Sequence, residues 1–204
     1  IMKTHVLIGM AVVSMMTSSG VAQAGPTPGE MAEARRWAAA KFEKPNPPFS
    51  FVYGGRPSAE LLKTWDVKQA SRKLDDVRTE RTLNWTDPKT GLVVRGVGVE
   101  YLDFPTVEWT LYFKNTGKRD TPILENIQGL DARLERRADS EFVLHGIKGD
   151  FCTADSFEPY QRTLAANTVT KFAPRSSGKS SDGPEGWPYF NLQYPGGGMI
   201  IAVG

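Results

Sequence analysis

Residues Thr106 to Gly117 read TVEWTLYFKNTG. In an extended chain, Val107, Trp109, Leu111 and Phe113 fall on one face and Glu108, Thr110, Tyr112 and Lys114 on the other, the period-two pattern of a half-buried strand. Asn115-Thr116-Gly117 ends the run with residues that accept positive φ at little cost, so the triplet reads as a hairpin tip, with Thr121 to Leu134 as the partner strand. Four large inward side chains need cover. Helical signal is scarce in the rest of the chain, so a second sheet is the expected cover, and the fold class is all-β, an antiparallel β-sandwich.

Short strand-like runs separated by turn residues continue that texture from Pro48 onward. Phe49 to Tyr53 runs into Gly54-Gly55, and Ser58 to Lys63 has the makings of one helical turn. Arg78 to Trp85 and Leu92 to Tyr101 flank Asp87-Pro88-Lys89-Thr90-Gly91, a turn that pairs them antiparallel, and Val93, Val97, Val99 and Tyr101 share a face. Glu141 to His145, Gln161 to Phe172, Tyr189 to Tyr194 and Met199 to Val203 are further strands. The polar Gly/Ser stretch from Arg175 to Gly186 is a loop.

Ahead of this region, Thr27-Pro28-Gly29-Glu30 has capping-box spacing with proline at the first helical position. Met31, Ala34, Ala38 and Phe42 recur on one side, with Trp37 at the edge, until Pro45, Pro47 and Pro48 stop the helix. The face is Ala-rich and thin, so an arm that packs on the sandwich or on a neighbouring domain is expected and not a membrane-associated one. Further upstream, Met2-Lys3-Thr4-His5, the apolar run Val6 to Met16 and Ala22-Gln23-Ala24 have the three parts of an export signal. That run is too short to span a bilayer. The organisation expected is a signal peptide over 1–24, a helical arm and Pro-rich linker over 25–46 and a β-sandwich over 47–204. The mature protein is then exported, periplasmic or extracellular, with no membrane attachment after cleavage.

With 25 Lys+Arg against 23 Asp+Glu in 204 residues, the net charge of +2 creates no field to attract nucleic acid. The single cysteine, Cys152, excludes an intrachain disulfide. One patch gathers polar groups of different kinds: His145, Lys148, Asp150, Cys152, Asp155 and Glu158, in a loop between strands. The patch is a candidate binding edge. His145, Cys152 and Asp155 could be drawn as a metal site, but their spacing matches no closed zinc pattern. A Cys–His nucleophile lacks an orienting third group and an oxyanion site. The carboxylates Asp75, Asp76, Glu100, Asp103, Glu108, Glu125, Asp131 and Glu135 alternate with apolar residues and read as solvated surface. Trp65, Trp85 and Trp187 are either packing residues or platforms for stacking sugar rings.

PPFSFVYGGRPSAELLKTW (Pro47 to Trp65), NWTDPKTGLVVR (Asn84 to Arg95), FPTVEWTLYFKNTG (Phe104 to Gly117), TPILENIQGLD (Thr121 to Asp131), KGDFCTADSFEPY (Lys148 to Tyr160) and PYFNLQYPGGGMIIAVG (Pro188 to Gly204) together resemble the N-terminal region of secreted bacterial α-galactosidase-like (melibiase) glycoside hydrolases of the family 36 type. The resemblance implies a β-supersandwich of the galactose-mutarotase kind placed ahead of a catalytic (β/α)₈ barrel. In that barrel an Asp nucleophile and an Asp acid/base carry out a retaining reaction without metal or organic cofactor. Neither catalytic motif occurs in these 204 residues, so the expectation is a non-catalytic piece whose partners are an α-galactoside and a barrel in the same polypeptide. The resemblance also implies that the sandwich can lend a loop to the rim of the sugar pocket; by position and polarity that loop is Asp150 to Ser156, with Asp150, Cys152 and Asp155 as candidate contacts for sugar hydroxyls. A free-standing secreted carbohydrate-binding module is the other expectation. Export predicts Gly25 as the mature N-terminus; mass spectrometry of the secreted protein checks this, and an intact Met2 would contradict it.

Overall fold

The computed structural model describes residues 2–9, 25–42, 46–135, 140–150, 152–172 and 187–203. Its order is β1 (Met2–Gly9), α1 (Pro28–Phe42), β2 (Ser50–Tyr53), β3 (Arg56–Pro57), α2 (Ser58–Leu61), β4 (Asp66–Lys73), β5 (Arg78–Thr86), β6 (Leu92–Tyr101), β7 (Thr106–Asn115), β8 (Leu124–Gln128), β9 (Phe142–Ile147), β10 (Pro159–Leu164), β11 (Tyr189–Tyr194) and β12 (Gly197–Val203). The all-β class is therefore the one observed. Within the expected leader, residues 2–9 are extended and 10–24 lie outside the described residues, as do 43–45 of the linker and 173–186 of the Gly/Ser loop. Among the described residues no helix is long and apolar enough to cross a membrane.

The chain divides into two compact units, one containing Thr27–Arg133 and the other Leu134–Gly204. In the first, β4, β5, β6 and β7 pair antiparallel in sequence order, and β3, β2 and β8 form a second sheet. Strand β7 alternates as its sequence demands, with Val107, Trp109, Leu111 and Phe113 buried. Opposite them, Phe51 meets Phe113 edge-on at 5.4 Å between centroids, and Phe49 meets Trp85 at 5.7 Å. The Trp109 indole N–H donates to the Gly129 carbonyl at 2.8 Å, tying the larger sheet to the backbone just after β8.

Strand β6 forms the shared face that its sequence predicts. Val93, Val97, Val99 and Tyr101 do share a face, but it is the half-exposed one; the core face carries Leu92, Val94, Gly96, Gly98 and Glu100. The two glycines act as holes. A Cβ on Gly96 would lie 3.2 Å from Phe49 Cε1, and one on Gly98 would lie 2.8 Å from Phe42 Cε1. Phe42 ends α1, whose capping box forms as expected: Glu30 Oε2 accepts from Thr27 N and Thr27 Oγ1 accepts from Glu30 N at 3.3 Å. Ala34, Ala38 and Phe42 are the helix's buried apolar residues, and Trp37 and Phe42 pack on Trp109 at 5.3 and 6.2 Å.

A correction concerns the chain after β7. Residues 115–117 are not the tip of a hairpin. Asn115 Oδ1 accepts from Gly117 N, and Thr116 N donates to Gly91 O, which seats the turn on the β5–β6 turn. The chain then leaves for the other sheet, where β8 pairs with β2. Strand β4, exposed throughout, has no counterpart in the sequence reading. In the second unit, β10, β9, β11 and β12 lie side by side and antiparallel, with Leu144, Leu192, Met199 and Ile201 buried. Strand β10 stops at Leu164, short of the expected Phe172, and Asn167 then turns the chain at φ 59°.

The glycine notch yields a direct test. Gly98→Ala should destabilise the chain by about 1–3 kcal/mol in urea unfolding, because Phe42 is held between Trp37 and Trp109 and cannot swing away. Phe42→Leu should cost less in the Gly98→Ala background than in the native chain, a coupling of about 1 kcal/mol. Simple additivity would show that the ring does not fill the notch.

Candidate functional site

The polar loop joins β9 to β10. These strands pair from Phe142↔Leu164 to Ile147↔Pro159, and Lys148 N donates to Glu158 O at 2.9 Å just beyond the ladder. Closing the hairpin there brings residues ten apart into contact. Lys148 Nζ donates to Asp155 Oδ2 at 2.9 Å and to Glu158 Oε2 at 2.8 Å, so one ammonium clamps two carboxylates across the loop neck. Thr153 Oγ1 donates to Asp155 Oδ1 at 2.6 Å, and Thr153 and Ser156 hold each other through their backbone and side-chain atoms. Cys152 N donates to Asp150 Oδ1 at 3.1 Å. Cys152 and Phe157 take positive φ of 59° and 66°, conformations that non-glycine residues adopt where local bonding fixes them.

The electrostatics follow from these contacts. The Thr153 hydroxyl, and then the Lys148 ammonium, pull the Asp155 carboxyl down to about 2. Glu158, and then Asp155, hold the Lys148 ammonium above the ordinary lysine range. Both groups are solvent-accessible, so the clamp orders the loop more than it stabilises the fold.

Of the three candidate hydroxyl contacts, Asp155 is thus committed on both oxygens to the loop itself. Asp150 and Cys152 are exposed, and Asp150 Oδ2 has no partner among the described residues. Cys152 is a free thiol. His145 lies on β9 with Nε2 2.6 Å from Gln193 Oε1 on β11. No group of three His, Cys, Asp or Glu among the described residues is placed to hold a metal ion.

The tryptophans separate sharply. Trp85 is 0% exposed against Phe49, and Trp65 is 7% exposed between Phe51 and Tyr53. Both are core residues, with no ring face for a sugar. Trp187 is half-buried and meets Phe157, itself half-exposed at the end of the loop, edge-on at 5.5 Å. The aromatic partner of the loop is therefore Trp187 together with Phe157, a residue that sequence reading passed over. Its signal was available, since Phe157 is an aromatic residue within a stretch otherwise dominated by polar groups.

Glu100 also departs from expectation. It is buried on the core face of β6, where Arg81 Nη2 reaches Glu100 Oε2 at 3.0 Å. Its alternation with Leu92 and Val94 was the missed cue. Removing Arg81 would leave a buried carboxylate with less compensation, which makes this pair structural and not part of an acid/base couple.

No family model, curated protein or solved structure matches this chain.

The clamp makes a pH prediction. The Asp155 carboxyl is depressed in the folded chain, so its contribution to loop order is fully present above the ordinary value of 3.8 and is lost as pH falls through about 2. In a carboxyl NMR titration Asp155 should titrate near 2 in the native chain. Thr153→Val or Lys148→Met should move the midpoint back toward 3.8. A native midpoint at the ordinary value would show that the clamp does not form.

Proposed function

We propose that this chain is the non-catalytic β-sandwich of an exo-acting, α-galactosidase-like retaining glycoside hydrolase, exported, supporting a catalytic barrel in the same polypeptide and lending the Lys148–Glu158 loop to the rim of the sugar pocket. The family part of the proposal rests on the six sequence phrases and on the all-β class that they imply. The role of the loop rests on one observation: a loop whose Lys148, Asp155 and Glu158 are engaged with one another still presents an exposed carboxylate, Asp150, and an aromatic pair, Phe157 and Trp187.

That combination suits a pyranose. The C–H face of the sugar packs on an aromatic ring, and its hydroxyls donate to a carboxylate that needs no proton at neutral pH. Asp155 serves as a positioning residue that holds the loop, while Asp150 is the contact. The hydrolytic step belongs to the two carboxylates of the barrel, so no acid/base or nucleophilic role falls to residues of the sandwich. No metal or organic cofactor enters this reading, nor does nucleic acid.

The exposed aromatic pair also favours a second reading, a free-standing carbohydrate-binding module, and affinity separates the two. A rim contact completed by a barrel should bind methyl α-galactoside only in the millimolar range on the isolated chain, whereas a module built for binding should reach micromolar dissociation constants on oligosaccharides.

Amide and indole NMR shifts during a titration with methyl α-galactoside test the site. The expected result is perturbation confined to residues 148–158 and the Trp187 indole, weakened at least about fivefold in both Asp150→Ala and Trp187→Ala. Perturbation elsewhere, or none at saturating sugar, would remove the loop from the sugar site.

A further inference from the structure

The outer edge of the larger sheet in the first unit is β4, and among the described residues nothing pairs with its far side. It runs in unbroken register with β5 from Asp66↔Thr86 to Lys73↔Thr79, and all eight of its residues are exposed. Edge strands are ordinarily cut short, bulged, interrupted by proline, charged or covered, because an open row of N–H and C=O groups recruits another strand. Strand β4 is neither short, bulged, proline-interrupted nor covered among the described residues. Its one protection is charge, at Asp66, Lys68, Arg72 and Lys73, so the placement of those charges decides which strand can pair with it.

The ladder tells which backbone groups are open. Leu74 N donates to Arg78 O in the register of β4 with β5, and antiparallel hydrogen-bonded pairs recur at every second residue. Asp66, Lys68, Ala70 and Arg72 therefore spend their backbone groups on β5, while Val67, Gln69, Ser71 and Lys73 point theirs outward. The next ladder agrees, since Leu102 N donates to Val77 O and Asp87 N to Leu92 O, which aims the odd-numbered residues of β5 at β6.

We propose that β4 is a self-association edge: two copies of this chain pair their β4 strands antiparallel about a two-fold axis through Gln69. Outward groups must meet outward groups, which restricts the axis to a few positions. Centred on Lys68, the pairing sets Lys68 against itself. Centred on Ala70, it sets Lys68 against the partner's Arg72. Centred on Ser71, it leaves Asp66, Val67 and Lys68 beyond the partner's strand. Only the axis at Gln69 uses most of the strand and places Asp66 opposite the partner's Arg72, twice by symmetry.

Three further features suit that register. The Gln69 amide is both donor and acceptor, so it can pair with its own copy on the axis. Arg72 is already oriented by Glu80, which accepts from its Nη2 at 2.9 and 3.0 Å, and its side chain remains 67% exposed on the face that Asp66 shares. Val67, 39% exposed, comes to lie across from the partner's Ser71 and loses water on pairing. The contact is isologous and uses both edges, so association closes at the dimer.

Sedimentation velocity on the full chain across the micromolar range tests this. The expected result is a reversible monomer–dimer equilibrium. Ser71→Pro removes an outward N–H without touching the ladder to β5, and should weaken the dimer at least about tenfold with an unchanged melting temperature. Asp66→Arg places like charges opposite each other and should weaken it by a similar factor, more so at low salt. Should Ser71→Pro lower the melting temperature, Asp66→Arg alone decides. A chain that stays monomeric up to millimolar concentration, a dimer that survives the decisive substitution, or an open-ended polymer would each overturn the proposal.

Discussion

The first unit is organised by two missing side chains. Gly96 and Gly98 lie on the core face of β6, between Leu83 and Arg81 of β5 and Leu111 and Trp109 of β7. The space above them is filled by rings from elsewhere in the chain: Phe49, just before β2, over Gly96, and Phe42, at the end of α1, over Gly98. Two phenylalanines, each burying roughly 2–3 kcal/mol of apolar surface, thus fasten the helical arm and the smaller sheet onto the same strand. Trp109, gripped by Trp37 and Phe42 and bonded to Gly129 O, joins the three elements at one point. The arm is therefore part of the core, because a helix whose last residue fills a notch of this kind cannot leave without opening a cavity.

Rigidity of this sort lets a scaffold be read apart from its function. The second unit has a smaller set of buried apolar residues on its own sheet among the described residues, and polar side chains gather in a loop that closes on itself through Lys148. The clamp spends Asp155 and Glu158 on position and leaves Asp150 outward, a division of labour between carboxylates that their spacing alone does not reveal. The aromatic pair of Phe157 and Trp187 keeps its rings partly exposed, where a buried tryptophan such as Trp85 has no free face.

Much of this was legible in the residues themselves. The alternation of β7, the capping box at Thr27 and the Asp87–Gly91 turn are local devices, written in consecutive positions, and each forms as its chemistry requires. What escaped depends on distant residues. That Val93, Val97, Val99 and Tyr101 share a face of β6 was legible, but not which face is buried, because glycine contributes no hydrophobicity and the role of Gly96 and Gly98 appears only with Phe49 and Phe42 above them. Strand β4 carries no apolar alternation because it is exposed on both faces and exists through its ladder to β5 alone. The destination of the chain after Gly117 is set by pairing with β2 and by contacts such as Asp131 N to Pro48 O, which no local pattern encodes. In the loop, the polar residues were evident, yet which carboxylate faces outward depended on the hairpin bringing Lys148 beside Glu158.

Native-state hydrogen exchange bears most directly on the notch as the organising contact. If α1 is fastened to the sandwich through Phe42, the amides of Ala38 and Phe42 should exchange through the same cooperative opening as those of Val94, Gly96 and Gly98 in β6, with matching free energies and matching denaturant dependence. Exchange of the helix amides far faster than the strand amides, with little denaturant dependence, would mean that the arm opens by itself and that the glycine notch does not hold the unit together.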